Sequence, residues 1–279
     1  MIKLVRIELY KIFKKWRTYI GFLAIAVLIP IIQIAMLIEG EKSLNFMTRN
    51  LQQSFVFVGN LLNGYLITYL ILGSLYVHIP FLIALVAGDL LAGEATSGTY
   101  RILITRPVSR IKLVTSKFAA GLLYTYSLIF WLALISLGLG IIIFGTGELI
   151  VLKSSQIIIF AKNDVLWRFI LAFLFASLSM SVVTALAFLF SSLVENAIGP
   201  IISTMAVIIV FIIISAIEIN IFQTIKPYLF TTYMSSWRLF FDDKINYQEI
   251  INSCLILLAH IVVFFGAATW IFKKKDILS

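Results

Sequence analysis

Six long, predominantly apolar runs restrict this chain to folds that a lipid bilayer can solvate. A helix needs about 20 residues to cross roughly 30 Å of hydrocarbon, and each run is long enough. The runs are Thr18 to Ile38, Leu61 to Ala87, Phe118 to Phe144, Phe169 to Val194, Ala197 to Ile217 and Ile250 to Phe272. Only 13% of the residues are charged, whereas a soluble domain carries about 25%. The sequence therefore predicts an all-α integral membrane protein, with one domain of six transmembrane helices over residues 1–279.

The Lys and Arg residues are divided unevenly between the two sides of the membrane. If both termini lie in the cytoplasm, 14 of the 22 Lys and Arg residues fall in cytoplasmic segments, as is usual for short cytoplasmic loops. The other eight are balanced by eight acids, so the net charge of +9 lies on the inner side. Because these cations flank hydrophobic runs, they do not form the exposed basic face that nucleic acids bind. We expect a multi-pass membrane protein with both termini cytoplasmic.

The first 17 residues have a helical pattern of their own. Ile2, Val5, Leu9 and Ile12 recur at helical spacing, and cations occupy much of the remaining surface. This pattern predicts an amphipathic interfacial helix that lies on the lipids of the inner leaflet and leads into the first span. The alternative is a positively charged anchor that makes no functional contact.

The longest basic stretch, Gly88 to Lys117, is hereafter called the basic loop. Its five cations would each cost about 2.5 to 3.5 kcal/mol in hydrocarbon, so we expect it in the cytosol. Thr96 and Ser97 are predicted caps for a short helix over residues 99–104, and Ser109 is a predicted cap for the next helix. The short helix would present Tyr100, Leu103 and Ile104 among cations, which is typical of a protein-facing surface. A solvated connecting loop is the alternative.

The residues of this loop carry a resemblance to a known family. The pattern comprises Glu94, Gly98, Thr99, Arg101, Ile102, Leu103, Arg106, Pro107, Val108, Ser109, Arg110 and Lys117. Together with the lead helix and six spans, it resembles the permeases of the type-2 exporter class of ATP-binding-cassette (ABC) transporters. The resemblance implies a coupling helix that enters a groove on a separate ATPase subunit. The residues assigned to this interface are Glu94, Gly98, Thr99, Tyr100, Arg101, Leu103, Ile104, Arg106, Pro107 and Arg110.

The same resemblance implies further partners and a location. The permease would act as a dimer with a second permease copy over two ATPases, in the cell membrane of a bacterium or archaeon. Glu195 and Asn196, in the short turn Ser191 to Asn196, would make a minor ATPase contact, although a plain helical hairpin is the alternative. ATP and Mg would be bound by the partner ATPase. The chain has no Gly-Lys dipeptide and therefore no phosphate-binding loop, so we expect a non-catalytic subunit without a cofactor of its own.

The spans contain few side chains that could carry chemistry. Tyr65, Tyr69 and Tyr76 share one face of the second span and, with His78, are candidates for a substrate path, with helix packing as the alternative. A single cysteine, Cys254, excludes a disulfide framework and a cysteine-based metal site. The scarcity of carboxylates within the spans disfavours a proton- or sodium-coupled transporter. A membrane-embedded enzyme lacks a catalytic constellation, whereas a membrane scaffold for an ATPase-driven motility or secretion machine stays open as an alternative.

The aromatic segment Asn220 to Tyr247 precedes the last span on the predicted outer side. Its aromatic residues recur at intervals of three and four, which predicts an interfacial helix on the outer leaflet. The family resemblance implies a re-entrant segment at the outer gate, over about residues 220–248. An aromatic belt that anchors the bundle is the alternative.

Overall fold

A computed structural model describes residues 1–49, 61–98, 108–153 and 156–275. It confirms the predicted fold class, because six of its helices are long and apolar enough to cross a membrane and an additional helix precedes the first of them. These six helices cover Trp16–Phe46, Ile79–Thr96, Arg110–Phe144, Lys162–Leu193, Ile198–Ala216 and Tyr247–Lys274. The protein is thus a multi-pass membrane protein.

The chain begins with helix α1 (Ile2–Lys14), which is separated from α2 (Trp16–Thr48) by Lys15 in an extended conformation. The hydroxyl of Thr18 donates a hydrogen bond to the carbonyl of Ile12 across this corner. Ile12 and Glu8 are buried. One face of α1 therefore packs on the protein.

The predicted second span, 61–87, is divided into two helices. Helix α3 (Gly64–Leu75) ends before residues 76–78, and α4 (Ile79–Ala87) begins after them. Pro80 explains the break, since proline lacks the N–H that would bond to the carbonyl of Tyr76, four residues earlier, and its ring clashes there. Helix α5 (Asp89–Thr96) follows α4 through Gly88, which is itself in a helical conformation. The spanning helix thus extends to Thr96, nine residues into the stretch predicted as a loop.

The third span contains a local widening of its helix. Helix α6 (Arg110–Ala133) passes into a π-helical turn (Leu134–Leu139) and then into α7 (Gly140–Phe144). The carbonyl of Ser136 in this turn accepts hydrogen bonds from Gln33 Nε2 and Thr68 Oγ1, both at 3.0 Å. The extra residue of a π-turn frees backbone carbonyls from the helical ladder, so this turn links three helices inside the bundle.

A short antiparallel pair of strands follows, formed by β1 (Leu149–Leu152) and β2 (Ile157–Phe160). Leu149 pairs with Phe160 and Leu152 with Ile157. The apolar run Ile157–Phe160 is too short to span a membrane. The β-branched residues and Phe of the run suit a strand.

The remaining helices build the centre and the far edge of the bundle. Helix α8 (Lys162–Leu193) has the most buried surface of the six spans, and α9 (Ile198–Ala216) and α12 (Tyr247–Lys274) pack against it. Between α9 and α12 lie α10 (Asn220–Ile225), a 3₁₀ turn (Lys226–Tyr228), α11 (Phe230–Met234) and a longer 3₁₀ turn (Ser235–Phe241).

The aromatic segment differs from the single interfacial helix that its periodicity predicted. It is broken into these short turns, and Phe230, Trp237 and Phe241 are buried in the bundle. The guanidinium of Arg168 on α8 fixes it by donating to the carbonyls of Phe240 (2.6 Å) and Asp242 (3.0 Å). A periodicity of three and four also fits successive 3₁₀ and α turns that face a core, so the sequence pattern could not distinguish the two.

Candidate functional site

Four charged side chains from three helices meet at the end of the bundle that carries α1 and the basic loop. Lys117 Nζ on α6 lies 2.7 Å from Glu8 Oε2 on α1 and 2.6 Å from Glu94 Oε1 on α5. Lys11 Nζ lies 2.8 Å from a carboxylate oxygen of each of the same two residues. We call Glu8, Lys11, Glu94 and Lys117 the charge network. The charge network joins α1 to α5 and α6, the two helices on either side of residues 99–107.

The charge network is withdrawn from solvent to an unusual degree. The side chain of Lys117 is only 1% exposed, and those of Glu8 and Glu94 are 8% and 10% exposed. Burying an unpaired charge costs several kcal/mol, so such groups persist only when each has partners of opposite sign. Here each carboxylate has two cations and each cation has two carboxylates. Removal of any member would leave a buried charge short of a partner.

The protonation equilibria of α1 reflect this pairing. Burial raises the pKa of the Glu8 carboxyl, but Lys117 and Lys11 outweigh burial and hold that pKa below its ordinary value of 4.5. Burial lowers the pKa of the Lys11 ammonium, but hydrogen bonds to Glu8 and Glu94 carry it above 10.5. Both groups are therefore charged at neutral pH.

A second ion pair lies one turn earlier on α5. Asp89 Oδ2 accepts from Lys15 Nζ at 2.6 Å, and Asp89 Oδ1 lies 3.3 Å from Arg17 Nη1. Lys15 and Arg17 flank the corner between α1 and α2. The beginning of α5 is thus fixed to the beginning of the first span.

The predicted second turn, Ser191 to Asn196, contacts α5 directly. The hydroxyl oxygen of Ser191 accepts hydrogen bonds from the backbone N–H groups of Leu91 (3.0 Å) and Ala92 (2.9 Å). Thr96, the last residue of α5, donates from Oγ1 to the carbonyl of Glu195 at 2.8 Å. The part of the basic loop that follows Thr96 therefore departs from a helix that is held at both its first and its last turn.

The far end of the basic loop is held by the last helix of the chain. Arg110 Nη1 at the start of α6 donates to the carbonyls of Lys273 (3.1 Å) and Lys275 (2.9 Å) at the end of α12. A cation is favoured at a helix C-terminus, where carbonyls lack partners. Lys275 Nζ in turn lies 3.7 Å from Glu195 Oε1. The two turns and the end of α12 therefore meet at one end of the bundle.

The structure describes only part of the predicted ATPase interface. Glu94 is buried in the charge network, Gly98 has a positive φ of 66° just after α5, and Arg110 contacts α12. Glu195 accepts from Thr96, and Asn196 Oδ1 accepts from the N–H of Ile198 at 3.0 Å. Seven further residues and the predicted helix over 99–104 lie outside the described residues: Thr99, Tyr100, Arg101, Leu103, Ile104, Arg106 and Pro107. The assignment of this interface stays a prediction.

The predicted caps of the basic loop are arranged in two ways. Ser109 precedes α6, and its Oγ accepts from the N–H of Lys112 at 3.4 Å, as predicted for a cap. Thr96 and Ser97 end α5, and Thr96 Oγ1 also lies 2.9 Å from the carbonyl oxygen of Ala92. The short helix that Thr96 and Ser97 were predicted to cap lies outside the described residues, so this cap stays a prediction.

The candidate substrate-path residues do not share one environment. Tyr65 stacks on Phe169 with ring centroids 6.0 Å apart, and Tyr69 packs edge-on against Trp237 and Phe241 at 5.6 and 5.1 Å. Tyr76 is half-buried and His78 is exposed, both at the break between α3 and α4. The first two side chains are packed in an aromatic cluster, and a role for any of the four in transport stays a prediction.

Sequence reasoning missed Glu8 and Lys117 as a pair. Lys117 was counted among the cations of the basic loop and Glu8 was assigned no role, yet the sequence did hold one signal. Glu8 is the only acid among the first 38 residues, and it lies among Val5, Leu9 and Ile12 on the apolar face of α1. An acid on that face indicates a buried cation elsewhere in the fold.

These features define a class of protein. Six helices of the described residues that are long and apolar enough to span a membrane form one bundle, and an N-terminal helix is docked on it. This is the class of multi-pass membrane proteins.

The comparison with known proteins makes the assignment specific. Residues 2–277 match the family described as "ABC-2 family transporter protein", and the chain belongs to that family. It is also 26% identical over 199 residues to "Uncharacterized protein YhcI" of Bacillus subtilis (strain 168). That match covers 69% of this chain and 63% of the relative. The resemblance seen in the sequence is confirmed, and the protein is a transmembrane component of the ABC-2 transporter family.

Proposed function

We propose that this chain is the permease subunit of an ATP-driven exporter, and that residues 99–107 of the basic loop dock on a separate ATPase subunit. ATP and Mg would bind to that ATPase, since this sequence has no phosphate-binding loop. A second copy of the permease, or a homologue of it, would complete the translocation path. Family membership supports the class of function, and the basic loop supports the mode of coupling.

The observation that carries the proposal is the anchoring of the described residues on both sides of segment 99–107. On the near side, Glu94 is ion-paired within the charge network and Thr96 is hydrogen-bonded to the second turn. On the far side, Arg110 is bonded to the end of α12, and Lys117 lies in the same charge network. A segment held this way at both ends is suited to transmit a force.

Displacement of the segment would reach three spans at once. A pull on α5 acts on α4, which is continuous with it, and a pull on α6 acts on the third span. The charge network ties both to α1, and through Lys15 the pull reaches α2. Packed cores and paired charges resist gradual deformation, so a small shift at such an anchor becomes movement of whole helices.

The proposal is tested by substituting Arg101, Leu103 and Arg106 together with Ala. We expect the affinity-tagged variant to lose the ATPase that co-purifies with the wild-type chain, because two charged contacts and one apolar contact are removed from the docking segment. The retained ATPase is measured by quantitative mass spectrometry and identified by its phosphate-binding loop.

The matched control is the triple change Lys42→Ala, Phe46→Ala and Arg49→Ala, which removes the same kinds of side chain near the end of α2. It should keep the ATPase. The thermal unfolding midpoint of both variants establishes that the bundle is folded. Full retention of the ATPase by the Arg101/Leu103/Arg106 variant would contradict the docking role of the basic loop.

A further inference from the structure

A cavity of about 550 Å³ lies between α1, the beginning of α2, α5 and α6. Its volume is in the range of pockets that bind small ligands, which is about 300 to 1,000 Å³. The charge network forms part of its wall. A cavity of this size beside the charge network has room for a small ligand.

The described wall of the cavity carries an excess of positive charge. It contains the three carboxylates of Glu8, Asp89 and Glu94, and five cations. The cations are Lys11, Lys14, Lys15, Arg17 and Lys117. The formal excess is therefore two positive charges, which matches an anionic group.

Two of these cations have capacity left for such a group. Lys14 is exposed and makes no ion pair with the described residues. Arg17 Nη1 is buried and donates no hydrogen bond to the described part of the chain, although it lies 3.3 Å from Asp89. A guanidinium with a free N–H is well suited to a phosphate oxygen.

The rest of the wall is mostly apolar. Leu4 and Ile7 of α1, Val86 and Leu90 of the second span, and Leu113 of α6 contribute to it. Trp16, the first residue of α2, lies in sequence between the lining residues Lys15 and Arg17 and is 79% exposed. Such exposure is common for Trp at the level of lipid headgroups. A ligand with both a charged and a hydrocarbon part fits this wall.

We propose that this cavity binds one anionic phospholipid, with its phosphate at Lys14 and Arg17 and part of an acyl chain against Leu4, Ile7 and Leu113. The bound lipid would bridge α1 to α5 and α6 beside the charge network. This site is independent of the proposed ATPase contact, so either can fail without the other.

Residues 99–107 are the other occupant that the chain offers. Their sequence, TYRILITRP, holds two arginines and no acid. Two positive charges would meet the positive excess of the cavity wall, and like charges repel. Charge complementarity therefore favours the lipid.

The test uses the full-length chain in detergent, with any ATPase that co-purifies. Dioleoyl phosphatidylglycerol is titrated against the thermal unfolding midpoint, with dioleoyl phosphatidylcholine as the uncharged counterpart. We expect only the anionic lipid to raise the midpoint saturably. A phosphatidylglycerol with a photoreactive acyl chain should label peptides that contain Leu4, Ile7 or Leu113.

Substitutions separate this site from general attraction to lipids. Each cation removed should weaken apparent lipid binding about fivefold, so Lys14→Gln with Arg17→Gln should lower it by more than tenfold. Lys14→Gln alone breaks no ion pair among the described residues. It should still weaken apparent lipid binding about fivefold. The matched control, Lys3→Gln with Arg6→Gln, removes two exposed cations of α1 that do not line the cavity, and should leave the photolabelled peptides unchanged.

Three results would overturn the proposal. The first is equal stabilisation by phosphatidylcholine. The second is a labelling pattern that is the same in the Lys14/Arg17 variant and in the control, which would indicate a diffuse surface effect or a cavity filled by residues 99–107. The third is competition by glycerol 1-phosphate at the concentration at which the lipid acts, because the site would then be one for soluble phosphates.

Discussion

At the scale of single residues, Lys117 shows how the fold determines whether a lysine is an exposed loop cation or a buried member of an ion pair. Charge counting placed it among the cations that keep a loop in the cytosol. In the structure it is a buried group between Glu8 and Glu94, and the pairing joins residues 109 positions apart. Sequence periodicity contains no information on which distant carboxylate a lysine meets, so this contact could not be predicted from the sequence.

Substitution of Lys117 by Met should destabilise the protein by about 3 to 5 kcal/mol, because two buried carboxylates would be left with Lys11 alone. Chemical unfolding in mixed micelles measures the change. Lys112→Met, at an exposed position of the same helix, should alter stability by no more than about 0.5 kcal/mol. Adding Glu94→Gln to Lys117→Met should restore part of the loss. If Lys117→Met were no less stable than Lys112→Met, the charge network would not contribute to folding.

The pH dependence of stability should reveal the ionisation of Glu8. Its pKa is lower in the folded protein than the ordinary 4.5, so its contribution is present above that value and is lost as pH falls through the folded pKa. The unfolding midpoints of wild type and Glu8→Gln are compared between pH 3.5 and 8. The wild type should have the higher unfolding midpoint at neutral pH. The difference between the two midpoints should shrink as the pH falls towards 3.5. A difference in midpoint that is independent of pH would show that packing, and not the charge of Glu8, distinguishes the wild type from Glu8→Gln.

At the scale of secondary-structure elements, the helices deviate from regular spans where local chemistry requires it. Pro80 divides the second span, and the π-turn at Leu134–Leu139 widens the third. The first deviation was readable from the sequence, since a proline four residues after Tyr76 breaks the helical ladder. The second was not, because the acceptor at Ser136 is satisfied by Gln33 and Thr68 from other helices.

The close approach of α3 and α7 gives a test of this packing. A Cβ atom built on Gly64 would lie 2.5 Å from the backbone carbonyl of Gly140. Gly64→Ala should therefore cost about 1 to 3 kcal/mol, as overpacking does. Gly138 has open space around the equivalent position, so Gly138→Ala should stay within about 1 kcal/mol of the wild type. Equal stability of the two variants, measured by unfolding in mixed micelles, would refute this close contact.

At the scale of the whole molecule, hydropathy was sufficient for the number of spans and for the fold class. Six apolar runs were expected and six spanning helices are present among the described residues, because a bilayer of fixed thickness selects for length and apolarity alone. Their ends were less predictable. The second span extends to Thr96 and the third begins at Arg110, since ion pairs and caps stabilise helical turns that hydropathy alone would assign to a loop.

The predicted orientation, with both termini cytoplasmic, is tested with single cysteines in a Cys254→Ser background. Ser43→Cys on α2 and Lys112→Cys on α6 are both exposed positions, and they lie at opposite ends of their spans. A membrane-impermeant maleimide added to intact cells should label Ser43→Cys, and it should label Lys112→Cys only after the membrane is opened. The reverse pattern would invert the topology and place the basic loop outside.

The charge network also sets an order of events during synthesis of the chain. Glu8 leaves the ribosome 109 residues before Lys117, and at about 5 to 20 residues per second this interval lasts about 5 to 20 seconds. During that interval the carboxylate of Glu8 has no Lys117 to neutralise it in the interior, so α1 can dock fully only after the third span has emerged. Translation must therefore have passed Lys117, near the beginning of the third span, before the first helix reaches its final position.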